Sequence, residues 1–337
     1  MIAEALSAEE VSDAACRWLE ARFGGVVAPS GPAARLMGGA DFWTYAVAFV
    51  GDTLPSEWRQ PLVARVPPLA ERFTMLEREN RLQTWAADQG YSAPAIVDLR
   101  PPGEVFERPV QFVRRVPGTT MSAAMTAAPW RVGSLVDRLA RLLVQLHEVP
   151  VPAWAAGGGW SVIDRRLALV RFVVSEQSHR ELEAGLDSVT SLLPRLEVED
   201  PVVCHGDFHP LNVLVDGTRA AVIDWTDAGI GDAHCDIART AWLFRFAAVA
   251  SPRRAERLIL SMLAPWLSRR FRHAYEKQHA VDENRIRLWM PLHLLHGLAM
   301  TVASEHETFG PSRSGVEFSR DLQPWLRMEL EKALARV

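Results

Sequence analysis

The chain has 337 residues, 48% of them apolar, and a formal net charge of -4. Those apolar side chains can fill the core of one large two-lobed domain or of two smaller ones, which excludes disorder for most of the length. The weak negative charge excludes a global attraction to nucleic acid or to an anionic membrane. Three cysteines at unrelated spacings, Cys16, Cys204 and Cys235, exclude a disulfide framework and point to a reducing cytoplasmic compartment. No apolar run reaches the roughly 20 residues that a bilayer span needs, and the acidic opening MIAEALSAEE has no feature of a secretory leader.

In chain order, residues 7–23 predict a helix opened by a capping box, with Ser7 three positions before Glu10. Short strand-like segments follow, RLMGG, FWTYAVAFV, PLVARV, PAIVDL and PVQFVRRV, parted by Gly, Pro and Asp turns. A helical stretch, LAERFTMLERENRLQTWAADQG, lies between the third and the fourth. Residues 1–116 therefore predict an antiparallel sheet with one inserted helix. From Val132 to Leu146 the apolar residues recur at helical spacing, and helical patterns dominate afterwards, near 162–195, 236–250, 252–279, 283–303 and 320–336. One strand-like interruption, NVLVDGTRAAVIDW, contains DG between two apolar runs and predicts a hairpin. Residues 117–337 are expected to form a second, mainly helical lobe, so the predicted fold class is α+β.

The stretch VVCHGDFHPLNVLVDG, 202–217, concentrates the polar chemistry. A zinc site from Cys204, His205, His209, His234 and Cys235 is disfavoured, because zinc takes about four converging ligands from paired motifs and no CxxC, HxxxH or HExxH occurs. The carboxylates form a more specific pattern: Asp207, Asn212 five residues on, then the hairpin, then Asp224. Kinase-type phosphoryl transfer needs these parts in this order, an aspartate that orients the attacking hydroxyl and two hard oxygen ligands for Mg²⁺.

At HGDFHPLNVLV and VIDWTDAGIGDAHCDIA the chain resembles the aminoglycoside phosphotransferase family, kinase-like enzymes that act on small molecules. The similarity extends more weakly through RLMGGADFWTY, LVARVPP, LERENRLQTWAADQGYSAP and ARLLVQLHEVP. The resemblance implies a two-lobed protein-kinase-like fold, Asp207 as the catalytic aspartate, and Asn212 and Asp224 as magnesium ligands. It also implies ATP or GTP as donor, a small hydroxylated acceptor as the other partner, and no nucleic-acid or membrane partner. A kinase-like protein that binds nucleotide without catalysis is the alternative.

Among the 37 basic residues only Lys277 and Lys332 are lysines, and both lie in the helical region. The kinase lysine of the third strand therefore has no lysine counterpart here, and Arg65 occupies its expected place. Alternation along LVARV puts Val63 and Arg65 on one face, Val63 toward the nucleotide base and Arg65 toward phosphate. Glu79 is the expected carboxylate partner of Arg65, and Glu77 is expected to be solvated. Gly38 and Gly39 are expected to fold over the phosphates, with Asp41 facing away from them. No lysine follows a glycine-rich stretch, which excludes a Walker loop.

Of the remaining polar residues, His205 and His209 are expected to brace the loop. Asp236 is expected to cap the next helix or hold the loop backbone, and Asp227 and Asp232 remain open between supporting and turn roles. For the acceptor, an antibiotic such as a macrolide or aminoglycoside or a hydroxylated metabolite, residues 245–287 carry ten Arg or Lys against four Asp or Glu, which favours a neutral or largely apolar hydroxylated molecule over a polycationic one. The helix RLWMPLHLLHGLAM, with His293 and His296, is a candidate wall for it, and Glu305 and Glu307 keep an amine-bearing acceptor open.

Overall fold

The computed structural model describes residues 5–36, 42–69, 72–155, 158–176, 179–251, 253–303 and 320–337. The glycine-loop residues Gly38, Gly39 and Asp41, like Glu305 and Glu307, lie outside them. The described residues divide into two compact units, the first within 1–88 and 93–117, the second within 89–92 and 118–337.

The first unit opens with α1 (Ala8–Phe23), started by the expected box: Glu10 N–H donates to Ser7 Oγ at 3.1 Å and Ser7 N–H to Glu10 Oε2 at 2.7 Å. The strands are β1 (Ala28–Pro29), β2 (Ala34–Leu36), β3 (Trp43–Val47), β4 (Phe49–Val50) and β5 (Leu62–Val66). After α2 (Phe73–Asp88) come β6 (Ile96–Arg100) and β7 (Val110–Arg114). Five of the strands form one antiparallel sheet in the order β2-β3-β5-β7-β6. Alternation along β5 decides which side chains go where: Leu62, Ala64 and Val66 are buried, so Val63 and Arg65 take the opposite face. The core beneath the sheet is built on Trp58, whose ring centroid lies 5.0 Å from that of Phe112 and 5.5 Å from that of Trp18.

The second unit runs through β8 (Thr119–Thr120), α3 (Met121–Ala127), α4 (Val132–His147), α5 (Val162–Glu176), α6 (Arg180–Thr190) and α7 (Leu193–Leu196). It continues with β9 (Val202–Cys204), β10 (Val213–Asp216), β11 (Arg219–Val222), β12 (Gly229–Gly231), α8 (His234–Ala250), α9 (Arg254–Glu276), α10 (Glu283–Ala303) and α11 (Gln323–Leu334). The single helical pattern expected near 162–195 is three helices. Helix α9 starts at Arg254, and the Ser251 hydroxyl donates to Glu256 at 2.8 Å. Helix α10 is apolar on every side and almost wholly buried, packed by α5, α6, α8 and α11.

The hairpin forms one residue later than the DG pair suggests. Asp216 pairs with Arg219 inside the ladder, so Gly217 and Thr218 make the turn, and Gly217 takes the positive φ of 55° that such a turn requires. Val213 faces Val222 at the other end of the ladder, which fixes where Asn212 and Asp224 emerge.

We expect Trp58→Ala to lower the stability of the first unit by about 3–5 kcal/mol, the usual cost of emptying an aromatic site in a packed core; urea denaturation followed by fluorescence and circular dichroism measures it.

Candidate active site

Residues 205–212 form a loop leaving β9, and Asp236 at the start of α8 holds it. The buried carboxylate accepts the backbone N–H of His205 on Oδ2 and that of Gly206 on Oδ1, both at 2.7 Å. Asp236 thus takes the second of its two expected roles and does not cap the helix, whose N-cap position is Ala233. Gly206 has φ 77°, and a Cβ there would lie 2.2 Å from the carbonyl oxygen of Asp227, so two loops pass with no room for a side chain.

The histidines serve the same loop. His205 is fully buried, meets the Ile223 carbonyl through Nε2 at 3.1 Å and accepts the Asp207 N–H on Nδ1 at 3.3 Å. Burial pulls its pKa below the ordinary value against the opposing pull of Asp236 and Asp207, which suits the neutral tautomer these bonds require. His209 goes further than bracing, because its Nε2 lies 3.2 Å from Asp207 Oδ2. Cys204 and Cys235 are buried, and His234 binds Asp232, so the five residues weighed as zinc ligands serve separate contacts. His147, Cys204 and Asp236 do lie together, but Asp236 is engaged by the loop, and the two ring nitrogens of His147 meet Tyr275 at 2.7 Å and Asp236 at 3.2 Å.

Asp207 is held from both sides. Arg239 on α8 meets Oδ1 through Nε at 2.9 Å and Nη2 at 2.8 Å, while His209 and Asn212 Nδ2, the latter at 3.3 Å, meet Oδ2. The side chain stays 25% exposed. Burial raises its pKa, but Arg239, His209 and the buried Arg166 outweigh that and hold the carboxyl well below the usual range. Asn212 Nδ2 also donates to the Asp207 carbonyl at 3.0 Å, which turns its Oδ1 the other way. The Ile223 N–H bonds the Asn212 carbonyl at 2.9 Å, so Asp224 follows directly beside Asn212. Asp224 has φ 65°, a left-handed conformation that costs a non-glycine residue on the order of 1 kcal/mol or more and that clusters at functional sites.

Sequence reasoning missed Arg239 and Arg166. Arg239 is three residues after Asp236, hence on the same face of α8, and that spacing was the available signal. Arg166 comes from α5 with no local signal, is fully buried, and pairs Asp227 at 3.0 Å. Asp232 is a structural knot that accepts from Arg285 Nε and Trp289 Nε1, each at 2.7 Å, and from the His234 N–H at 3.0 Å. Trp225 and Trp289 are both core residues. His293 bonds the Cys235 carbonyl at 2.9 Å and His296 approaches Arg166 at 3.4 Å, so both face other helices.

In the first unit, Arg65 Nη1 donates to Glu79 and, at 2.7 Å, to Gln111 Oε1, and the guanidinium lies 4.2 Å from the Phe42 ring centroid. Glu79 is buried and Glu77 exposed. Val63 shares the Arg65 face of β5.

The model of the phosphotransferase enzyme family matches residues 34–290. The chain belongs to that family. It is 31% identical over 207 residues to an aminoglycoside 3'-phosphotransferase of Streptomyces fradiae, covering 58% of this chain and 75% of the relative. It is 28% identical over 177 residues to a streptomycin 3''-kinase of Streptomyces griseus, covering 48% of this chain and 63% of the relative. Among solved structures, aminoglycoside phosphotransferase APH(4)-Ia superposes with a TM-score of 0.62 at 17% identity over 96% of this chain and 98% of its own. Spectinomycin phosphotransferase APH(9)-Ia, solved with ADP and spectinomycin, gives 0.61 at 12% identity over 99% and 100%. The family's members are phosphotransferases with hydroxyl acceptors, and the chain shares their α+β, two-lobed protein-kinase-like fold.

Two expectations follow. Asp236→Ala leaves two buried loop N–H groups without acceptors, so it should cost about 2–5 kcal/mol and disorder residues 205–207; denaturant midpoints and amide exchange in the loop check it. Acid should also act through buried imidazoles. Burial, with Arg166, pushes His296 down to about 3, and burial with Arg166 and Arg239 holds His293 well below its ordinary value. Both stay neutral in the folded protein, whereas the unfolded chain protonates them below about 6.5. Their contribution is therefore complete above that pH and is lost as pH falls beneath it, on the order of a few kcal/mol for the pair by pH 5.5. Midpoints at pH 7.5 and 5.5 measure this, and equal values mean that the imidazoles are charged in the fold.

Proposed function

We propose that this protein transfers the γ-phosphoryl group of ATP or GTP to a hydroxyl of a small molecule, with aminoglycoside-type antibiotics as the first acceptor class. Support for the class comes from the relatives, an aminoglycoside 3'-phosphotransferase and a streptomycin 3''-kinase. Macrolides and hydroxylated metabolites remain in the assay because residues 245–287 are rich in arginine. The observation that carries the proposal is the convergence of Asp207, Asn212 and Asp224 at one end of the β10–β11 hairpin.

In this proposal the acceptor hydroxyl oxygen attacks the γ-phosphorus, the bond to the bridging β–γ oxygen breaks, nucleoside diphosphate leaves, and the hydroxyl proton passes to Asp207. A carboxylate held well below its usual pKa is a weak base, so Asp207 acts first by orienting the hydroxyl and takes the proton late. Arg239 fixes its Oδ1, which limits the angles Asp207 can adopt. The donor set of Asn212 Oδ1 and the Asp224 carboxylate is oxygen-only and suits Mg²⁺, a hard cation that takes few protein ligands beside phosphate oxygens. Bound there, the ion would neutralise charge on the phosphates. In the first unit Arg65 is the phosphate-facing cation, positioned by Glu79 and Gln111. Val63 is proposed to touch the base, and Gly38 and Gly39 to cover the phosphates. Retention of Asp207, Asn212 and Asp224 with a paired Arg65 supports catalysis over a purely regulatory nucleotide binder.

Asp207→Asn should keep nucleotide affinity and lower kcat on the order of a hundredfold or more, while Asn212→Ala and Asp224→Ala should raise the Mg²⁺ concentration that gives half-maximal rate. Phosphate transfer from ATP and from GTP to aminoglycosides, macrolides and sugars measures both. Transfer at wild-type rate by Asp207→Asn overturns the assignment.

A further inference from the structure

At the other end of the same hairpin lies a surface cavity of about 290 Å³ lined by Gly118, Thr119, Arg131, Arg138, Asp216 and Gly217, among others. It sits on the turn between β10 and β11, three ladder positions and so about 10 Å along the strand from Val213. All of its lining belongs to the second unit.

The cavity is walled by cations that the fold itself does not neutralise. Arg131 and Arg138 line it and Arg141 lies one helical turn beyond Arg138; among the described residues none of the three has a carboxylate partner, and the one acidic lining residue, Asp216, is paired with none of them. Each is placed against a local preference. Arg131 stands at the N-terminal boundary of α4, where a cation has the wrong sign for the helix dipole and where no side chain caps the helix. Arg138 and Arg141 are like charges three residues apart on one helix face. Arg138 is partly desolvated, its guanidinium fixed on the carbonyls of Gly217 at 2.9 Å and Thr218 at 2.5 Å. Burial, then Arg141 and Arg131, lower its pKa, as expected of a cation lacking an anion. The floor is backbone: Gly118 has φ 115°, and a Cβ there would stand 2.3 Å from the Val215 carbonyl oxygen. Trp130, next to Arg131 in the chain, is 83% exposed.

A helix that breaks several local rules at one place commonly serves a ligand there. We propose that this cavity is a second, non-catalytic site for a small phosphate-type oxyanion, gripped by the Arg131 and Arg138 guanidiniums at the β10–β11 turn. Two planar forks suit the tetrahedral oxygens of a phosphate, and the volume matches a ligand smaller than most drug-sized molecules. Because the turn and the Asn212–Asp224 end belong to one four-residue ladder, an anion seated here stiffens the hairpin that carries both.

The test is calorimetric titration with sodium pyrophosphate of the full chain, held in saturating Mg²⁺ and a non-hydrolysable ATP analogue. One site per chain is expected, weakened about tenfold or more by Arg131→Gln and further by Arg131→Glu, in line with the loss of a charge-assisted hydrogen bond. The Arg131 side chain makes no hydrogen bond or ion pair among the described residues, and both substitutions relieve its clash with the helix dipole, so neither variant should melt below the wild-type temperature. The site does not rest on Asp207 as the catalytic group, and Asp207→Asn should titrate like the wild type. Absence of binding, loss of binding once the analogue is present or in Asp207→Asn, or equal affinity in Arg131→Glu overturns the proposal.

Discussion

The two oxygens of the Asp236 carboxylate, each accepting one backbone N–H of the loop after β9, are the constraint on which the candidate site depends. A loop that turns at Gly206 cannot satisfy those donors by regular pairing. A buried acidic side chain from α8 supplies the acceptors instead, and in doing so it ties the loop to a helix. Arg239 leaves α8 three residues later and reaches Asp207, and Thr240, one further, donates to the Phe208 carbonyl at 2.7 Å. One turn of helix thus fixes the backbone, the carboxylate and the next residue of the loop together. That coupling explains how a loop without regular structure can hold Asp207 to a narrow range of positions.

The hairpin performs the complementary task. Asn212 lies within hydrogen-bonding reach of Asp207, but Asp224 is seventeen positions further along the chain. A four-pair ladder from Val213–Val222 to Asp216–Arg219 returns the chain to its origin, and the Ile223–Asn212 backbone bond closes it. The left-handed conformation of Asp224 falls directly after the Ile223–Asn212 bond that closes the hairpin. Strain is therefore confined to one residue while its neighbours keep ordinary geometry.

Much of this was legible from local pattern. The α1 capping box, the alternation that sets Arg65 apart from Leu62 and Ala64, the helical period of α4 and the hairpin all depend on residues a few positions apart, which is the range over which propensity and periodicity act. The hairpin turn was displaced by one residue because Asp216 is held in the ladder by Arg219, a pairing that composition does not reveal. The break of 162–195 into three helices had no distinctive signal beyond Pro194. Contacts between distant segments were the least visible. The sequence leaves Asp227 and Asp232 open between supporting and turn roles; Arg166, sixty-one positions earlier, decides the first, and Arg285 and Trp289 on its oxygens decide the second. His209 reads as scaffolding in the sequence because nothing local distinguishes a brace from a partner of Asp207.

The near-absence of lysine has a physical counterpart in these distant contacts. Arg65, Arg166 and Arg239 are cations at partly or fully buried positions, each against a carboxylate. A lysine at such depth sheds its proton when burial outweighs its partner, since an ammonium is strongly hydrated and loses that hydration on entering the fold. A guanidinium stays charged and divides its donors among partners. Arg65 uses one nitrogen for Glu79 and Gln111 and lays its plane over Phe42, and Arg239 sets two nitrogens on a single oxygen of Asp207. Replacing lysine by arginine at position 65 therefore does not weaken the cation. It exchanges a mobile point charge for a planar one held against Glu79, Gln111 and Phe42, so under the proposed function a bound phosphate would meet a guanidinium of fixed orientation.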